Sequence, residues 1–404
     1  MSRRLFSAAG NLARRGQRRA AARARWAAKV GEEGLKDTLH ATRRSGKGLR
    51  DAITNGAKDV LRTVRRPLRR RARLRKRLAE QAELDRIEAQ VEREIEDIVA
   101  RGRTLVVGPW LSEVGFETLY WIPFLHWMTA AFRLEPDRLV AVSRGGVAGW
   151  YRDLASRYVE IWDDMDPVEF GRRNAERGVT KQYEPSALDA AILDSVAARL
   201  GTRDFDVVHP GLMYRLFTLY WSGKRAMGFV DAHLRFTRMA APPMIDPAQL
   251  PPQYIAVKFY AARSLPDSPE MRAQLRAMVA ALAARLPVVL LDTGLVLEDD
   301  HADYAFGADG RIISARPWMT PVNNLGVQTQ IIAGAAAFVG TCGSLAWLAP
   351  RLGVDTSAVF VDPKWLHAHL PVAMRAYHKL DAGRFAVADL RALPATSADE
   401  AWAR

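Results

Sequence analysis

The sequence predicts an α/β protein: two Rossmann-like doubly wound domains, preceded by a basic helical or disordered tail and an amphipathic helix. Three observations carry this expectation. Short apolar runs alternate with helix-period stretches in two successive series, the pattern of parallel sheets covered on both faces. Pro242, Pro243, Pro247, Pro251 and Pro252 crowd the gap between the two series. The charge changes sign near residue 78. The expected segments are a basic tail (1–77), an amphipathic connector helix (78–102), an N-terminal Rossmann-like domain (103–241), a proline-rich linker (242–253) and a C-terminal Rossmann-like domain (254–404).

Composition sets the outer limits. A chain of 404 residues is long enough for two domains and a tail. The tail holds 25 Lys and Arg against 5 Asp and Glu, a net of +20, so the remainder sums to −6 against the whole-chain +14. That speaks against a basic groove on the globular body. The tail has only Phe6 and Trp26 as aromatics, so its charge suits an anionic membrane surface better than nucleic acid. A solvated extension is the plain alternative. The single cysteine, Cys342, excludes an intramolecular disulfide framework and a Cys-based zinc site, and points to a reducing, cytoplasmic setting with the inner membrane surface within the tail's reach. No apolar run reaches the roughly eighteen residues of a membrane span, and no secretory leader is expected. The Arg- and Ala-rich opening resembles a mitochondrial transit peptide in composition, but its basic character runs on too far.

The elements follow in chain order. Leu84, Ile87, Val91, Ile95 and Ile98 recur every three or four residues and predict the connector helix, stopped by Gly102. Strands are expected at 104–107, 139–142, 159–162 and 207–210, with helices at 116–132, 147–156 and 186–200 and a polar, flexible section at 163–185. Beyond the prolines, strands are expected at 254–260, 288–291, 311–314, 336–339 and 357–361, and helices at 270–286, 324–335 and 345–349. No short-period repeat is visible.

Open α/β sheets place ligands beyond the carboxyl ends of their strands, which selects the candidate residues. Glu113 and Glu117 follow the first strand, with Gly115 allowing a close turn past a ligand. Arg144, before Gly145 and Gly146, follows the second. His209 ends the fourth. Lys258 and Arg263 lie where the fifth strand yields to a loop, and both suit a phosphate, although Lys258 equally suits an edge strand. Asp292 ends the next strand and could accept from a ribose or a base. Asn324 opens a helix and is a candidate donor contact. Gly340, Thr341, Cys342, Gly343 and Ser344 form a small-residue turn between a strand and a helix. Such a turn is either an ordinary βα connection or an anion site of backbone N–H groups. The acidic stretch 298–303 has adjacent rather than helically spaced ligands and reads as a solvated loop; no metal is expected.

The stretch Ala337–Val354, AFVGTCGSLAWLAPRLGV, resembles the donor-binding turn of GT-B glycosyltransferases, in particular the heptosyltransferase-like group. That turn reads small-Thr-Gly, then a helix and Leu-Gly. About twenty residues carry the likeness, and the rest of the C-terminal half shares its layout. Trp347 stands where the group usually carries a His. The resemblance implies a metal-independent transferase with no cofactor, moving a sugar from a nucleotide-sugar donor to a glycan or lipid-linked acceptor, in surface polysaccharide synthesis. It nominates Glu113 as the base for the acceptor hydroxyl, with Glu117 and His209 as alternatives. Lys258, Arg263, Asp292, Asn324, Thr341, Gly343 and Ser344 would hold the donor, and Gly115 and Arg144 would line the acceptor side. A polysaccharide pyruvyl transferase-like enzyme shares the expected layout, and a non-catalytic scaffold bound to membrane or nucleic acid is the alternative of another class.

Overall fold

The computed structural model describes residues 74–178, 181–295, 302–380 and 383–392, and the chain divides into two compact units, 1–83 and 84–404. In the first unit the described residues, 74–83, are helical; the rest of the predicted basic tail lies outside the described residues.

The second unit opens with helix α1, residues 84–100. Leu84, Val91 and Ile95 are its buried face, and Val91 and Ile95 join the core around the first sheet. The expected connector therefore packs as part of the body from residue 84 onward. Gly102 ends it with φ +73, a conformation that costs glycine nothing.

Two parallel sheets follow. The first contains β1 (Thr104–Val107), β2 (Leu139–Ser143), β3 (Arg157–Glu160) and β4 (Phe205–Val208), in the order β3-β2-β1-β4. The second contains β5 (Ile255–Lys258), β6 (Val288–Leu290), β7 (Ile312–Ser314), β8 (Ala337–Thr341), β9 (Thr356–Phe360) and β10 (Phe385–Asp389), ordered β10-β9-β8-β5-β6-β7. All pairings are parallel. The runs LVAVS and VVL are buried throughout, as strands covered on both faces must be. In both sheets the strand order reverses beside the first strand, between β1 and β4 and between β5 and β8. Those switch points are where a Rossmann-like sheet opens a crevice.

Helix α2 begins as Val114–Phe116, passes through a π-helical stretch, Glu117–Trp121, and continues as Ile122–Phe132. Then come α3 (Pro167–Glu176), α4 (Ala187–Leu200), α5 (Gly211–Trp221), α6 (Met227–His233), α7 (Pro269–Arg285), α8 (Asn324–Ala333), α9 (Ser344–Leu348) and α10 (Leu370–Leu380). No helix of the described residues is long and apolar enough to cross a membrane.

Several expectations need correction. The helix expected at 147–156 is a 3-10 turn, Ala148–Tyr151, because Gly149 is pressed against the Ala240 carbonyl and Pro242. The third strand comes two residues early: the Glu160 carboxylate accepts from the N–H groups of Gly145, Gly146 and Trp162 and bends the chain away after Glu160. The polar section 163–185 contains α3, whose N-cap Asp166 accepts from Val168 and Glu169 at 2.9 and 3.0 Å. The fourth strand ends at Val208, and Pro210 caps α5 instead. Helices α5, α6 and α10 and strand β10 were not foreseen.

Candidate functional site

The loops that follow β1, β2, β3, β5, β6, β8 and β9 surround one cleft of about 760 Å³. It lies at the carboxyl ends of both sheets, where the topology directs ligands.

On the first-sheet side, Glu113 is the residue from which α2 starts, and its carbonyl accepts from the N–H groups of Phe116 and Glu117 at 3.1 and 3.2 Å. It lines the cleft with Gly115 and Phe116. Gly115 lies directly on the turn after β8: a Cβ there would stand 3.0 Å from Ser344 N and 3.3 Å from Trp347 Cδ1. The smallest side chain thus lets the Glu113 loop touch the opposite wall. Arg144 also lines the cleft but is 2% exposed, and it donates to the carbonyls of Trp110 and Ser112 at 3.1 and 2.9 Å. Those bonds strap the loop that carries Glu113. Lys181 reaches the cleft with its ammonium 4.9 Å from both the Phe116 and Trp221 ring centroids. Burial pushes its pKa down, and the charge of Glu113 opposes the shift.

On the second-sheet side, Lys258 Nζ lies 2.7 Å from Asp303 Oδ1 and donates to the Leu291 carbonyl at 2.9 Å. Asp303 accepts from Thr293 N as well, at 2.7 Å. The cation is therefore already matched by a carboxylate, which lowers its value as a phosphate anchor. Arg263 is exposed and stacks over Trp365 at 4.7 Å, at the mouth of the cleft. Gly343 has φ +138 and Ser344 φ +39, so two successive residues turn left-handed, the second at a cost that a non-glycine residue bears only where its surroundings hold it. Both line the cleft. The helix they introduce, α9, has five residues before it tightens into a 3-10 turn, Ala349–Leu352. So short a helix has little macrodipole. What the turn offers the cleft is therefore backbone rather than a long helix, and Arg263 lines the same cleft.

Four other candidates lie off the cleft lining. Glu117 is fully buried and accepts from Ser143 Oγ and Tyr151 OH, both at 2.6 Å. His209 Nδ1 accepts from Gly211 N at 3.0 Å, so its Nε2–H faces Asp189 Oδ1 at 3.1 Å. Asp292 is buried against Arg316 at 2.8 Å, and burial raises its pKa. Thr341 Oγ1 exchanges bonds with Tyr260 N and O at 2.9 and 3.1 Å, tying β8 to the chain leaving β5. Asn324 does line the cleft; its Nδ2 donates to Pro321 O at 2.7 Å.

Among the cleft residues with no forecast role are Lys181, Trp365 and His369. Lys181 comes from a polar stretch without periodicity. Trp365 and His369 follow β9, in a part of the chain where no elements were expected. His369 Nδ1 lies 2.8 Å from Tyr120 OH. Burial, then the charge of Lys181, pushes its pKa down to about 4, so the ring is neutral at pH 7. The only available signal was positional: a His-x-His pair just past a strand's carboxyl end. Of the acidic stretch 298–303, only Ala302 and Asp303 are among the described residues.

No family model matches the chain. No curated protein matches it either. Among solved structures it is similar to several glycosyltransferases, including the heptosyltransferase group that its turn resembles in sequence. Escherichia coli ADP-heptose LPS heptosyltransferase II shares 13% identity at TM-score 0.35, over 65% of this chain and 86% of that one. An E. coli heptosyltransferase with ADP shares 15% at TM-score 0.33, over 65% and 88%. A family 9 glycosyl transferase from Veillonella parvula DSM 2008 shares 12% at TM-score 0.34, over 65% and 81%.

Proposed function

We propose that the chain is a GT-B-like glycosyltransferase that moves a sugar from a nucleotide-sugar donor to a glycan or lipid-linked acceptor. Residues 103–241 form the acceptor half, 242–253 the linker and 254–404 the donor half. One observation carries the reading. The contact between Gly115 and Ser344 sets a carboxylate loop from one sheet beside a left-handed turn from the other, inside a single cleft at both carboxyl edges.

The chemistry follows from those positions. The donor diphosphate lies against the backbone of Gly343 and Ser344, with Arg263 offering bidentate contact and Trp365 stacking behind it. Glu113 takes the acceptor hydroxyl's proton as that oxygen attacks the anomeric carbon, and the diphosphate leaves with the bonding electron pair. Lys181 faces both the carboxylate and the leaving group's charge. The reaction needs no metal, because cationic side chains meet the diphosphate. The basic tail, 1–77, holds the enzyme at an anionic membrane surface near its acceptor, in a cytoplasmic setting.

The test is a thermal-shift panel of nucleoside diphosphates and nucleotide sugars, with NAD as control. A ligand at one hundred times its dissociation constant adds about 2.7 kcal/mol. One diphosphate is expected to stabilise the wild type, and Arg263→Ala to remove most of the shift. If none binds while the protein melts cooperatively, the transferase reading fails and a non-catalytic scaffold takes its place.

A further inference from the structure

We propose that Glu88, Glu92 and His233 form a divalent-cation site of the zinc type, outside the cleft, that fastens α1 to α6. Glu88 and Glu92 are four residues apart on α1, so their carboxylates emerge on one face. His233 is the last residue of α6 and is 3% exposed. The three ligand atoms lie within 4.8 Å of one another.

Bonding outside the trio decides what lies between them. His233 Nδ1 is 2.9 Å from the Phe229 carbonyl, which can only accept, so Nδ1 holds a proton. Nε2 then faces Glu92 Oε1 at 3.4 Å and Glu88 Oε1 at 3.7 Å. An imidazole nitrogen and two carboxylates thus converge on one point, where a proton or a metal cation can sit between them. The contact with Glu92 is within hydrogen-bond reach but longer than the roughly 2.7–2.9 Å of a charge-assisted bond, and that with Glu88 is longer still. A tetrahedral zinc ion with ligands at about 2.0–2.2 Å sets neighbouring ligand atoms roughly 3.3–3.6 Å apart. The two imidazole-to-carboxylate separations are close to that spacing.

The surroundings also fit. Metal-bound imidazoles are commonly oriented by a carbonyl on the far nitrogen, and ligating carboxylates by a second partner. Phe229 O does the first. Arg225 Nη2 does the second, holding Glu88 Oε2 at 2.6 Å while Asp85 braces the guanidinium at 2.6 Å. The Glu92 side chain is 42% exposed, which leaves an entry path and a fourth position for water. One imidazole and two carboxylates suit zinc or a similar first-row ion better than Ca²⁺ or Mg²⁺. The role is structural and independent of the proposed transfer.

The full chain, made without a polyhistidine tag and stripped with a chelator, is titrated with ZnCl₂ by calorimetry, and with Co²⁺ by visible absorption. We expect one equivalent of zinc, a Tm that climbs with zinc concentration, and a tetrahedral cobalt spectrum. His233→Gln and Glu92→Gln should each weaken zinc at least tenfold. If His233→Gln fails to fold, Glu92→Gln decides, since that side chain is 42% exposed. No saturable binding, equal binding by the variants, or equal preference for Mg²⁺ and Ca²⁺ would each overturn the site and leave a proton bridging the trio.

Discussion

Glu113 occupies a position that few side chains could share: it begins a helix, lines the cleft and shares its electrostatic surroundings with Lys181. If it removes the acceptor proton, Glu113→Gln keeps the shape and loses the base. Turnover should fall about 10²–10⁴-fold with donor binding and Tm unchanged. Steady-state kinetics beside a binding isotherm checks this, and a variant with wild-type turnover would remove Glu113 from the mechanism. At this scale the sequence was informative where a residue stood next to a strand end. Glu113, Gly115, Arg144, Lys258, Arg263, Asn324, Gly343 and Ser344 all line the cleft. It was uninformative about partners: nothing in the local pattern of Lys258 announces Asp303, 45 residues away, and nothing around Lys181 announces two aromatic rings beneath its ammonium.

Every residue of the π-helical stretch of α2 is buried. A π turn spends an extra residue per turn and is kept where a side chain needs to be redirected. Here it places the Glu117 carboxylate on two buried hydroxyls, those of Ser143 at the end of β2 and Tyr151 in the 3-10 turn. Burial, then that carboxylate, raises the Tyr151 phenol pKa well above its usual value, so the phenol stays a donor. Glu117→Leu removes the buried acceptor that both hydroxyls share and should cost about 2–5 kcal/mol, whereas Glu117→Gln should cost much less. Urea unfolding of the two variants decides it; equal stabilities would deny the carboxylate its pinning role. Elements were legible where burial on both faces wrote a continuous apolar run, as in β2, β6 and β8. They were illegible where one buried residue suffices, as in α3, which rests on Phe170 alone. The 3-10 turn at Ala148–Tyr151 was illegible for another reason: the residues that crowd Gly149 lie some ninety positions downstream.

At the scale of the whole molecule, two of the histidines among the described residues are held neutral by burial. Burial pushes His126 down to about 3, assisted by the charges of Arg351 and Arg235, and His369 down to about 4. Both lie below the ordinary value near 6.5, so the unfolded chain takes up protons first as pH falls. Their contribution to stability is complete above about pH 6.5 and is lost progressively toward pH 4 and, for His126, pH 3. Urea midpoints between pH 7 and 4 should fall accordingly, and less steeply in a His126→Asn, His369→Asn double variant; parallel curves would rule the histidines out. Arg351 itself is fully buried and donates to Thr118 O at 2.7 Å and Thr237 O at 3.0 Å, so the chain after β8 is bolted to α2 and to the segment entering the linker. The contact of Gly115 with Ser344 lies on the open side of that bolt. Only a hydrogen atom on residue 115 separates the two walls there, so the spacing of loop and turn is set by backbone alone. That makes position 115 a gauge. Each carbon added there would act as a shim, parting the two walls of the cleft while every other group keeps its identity; under the transfer proposed above, the distance from donor to acceptor would change through one codon while the reacting residues stay the same.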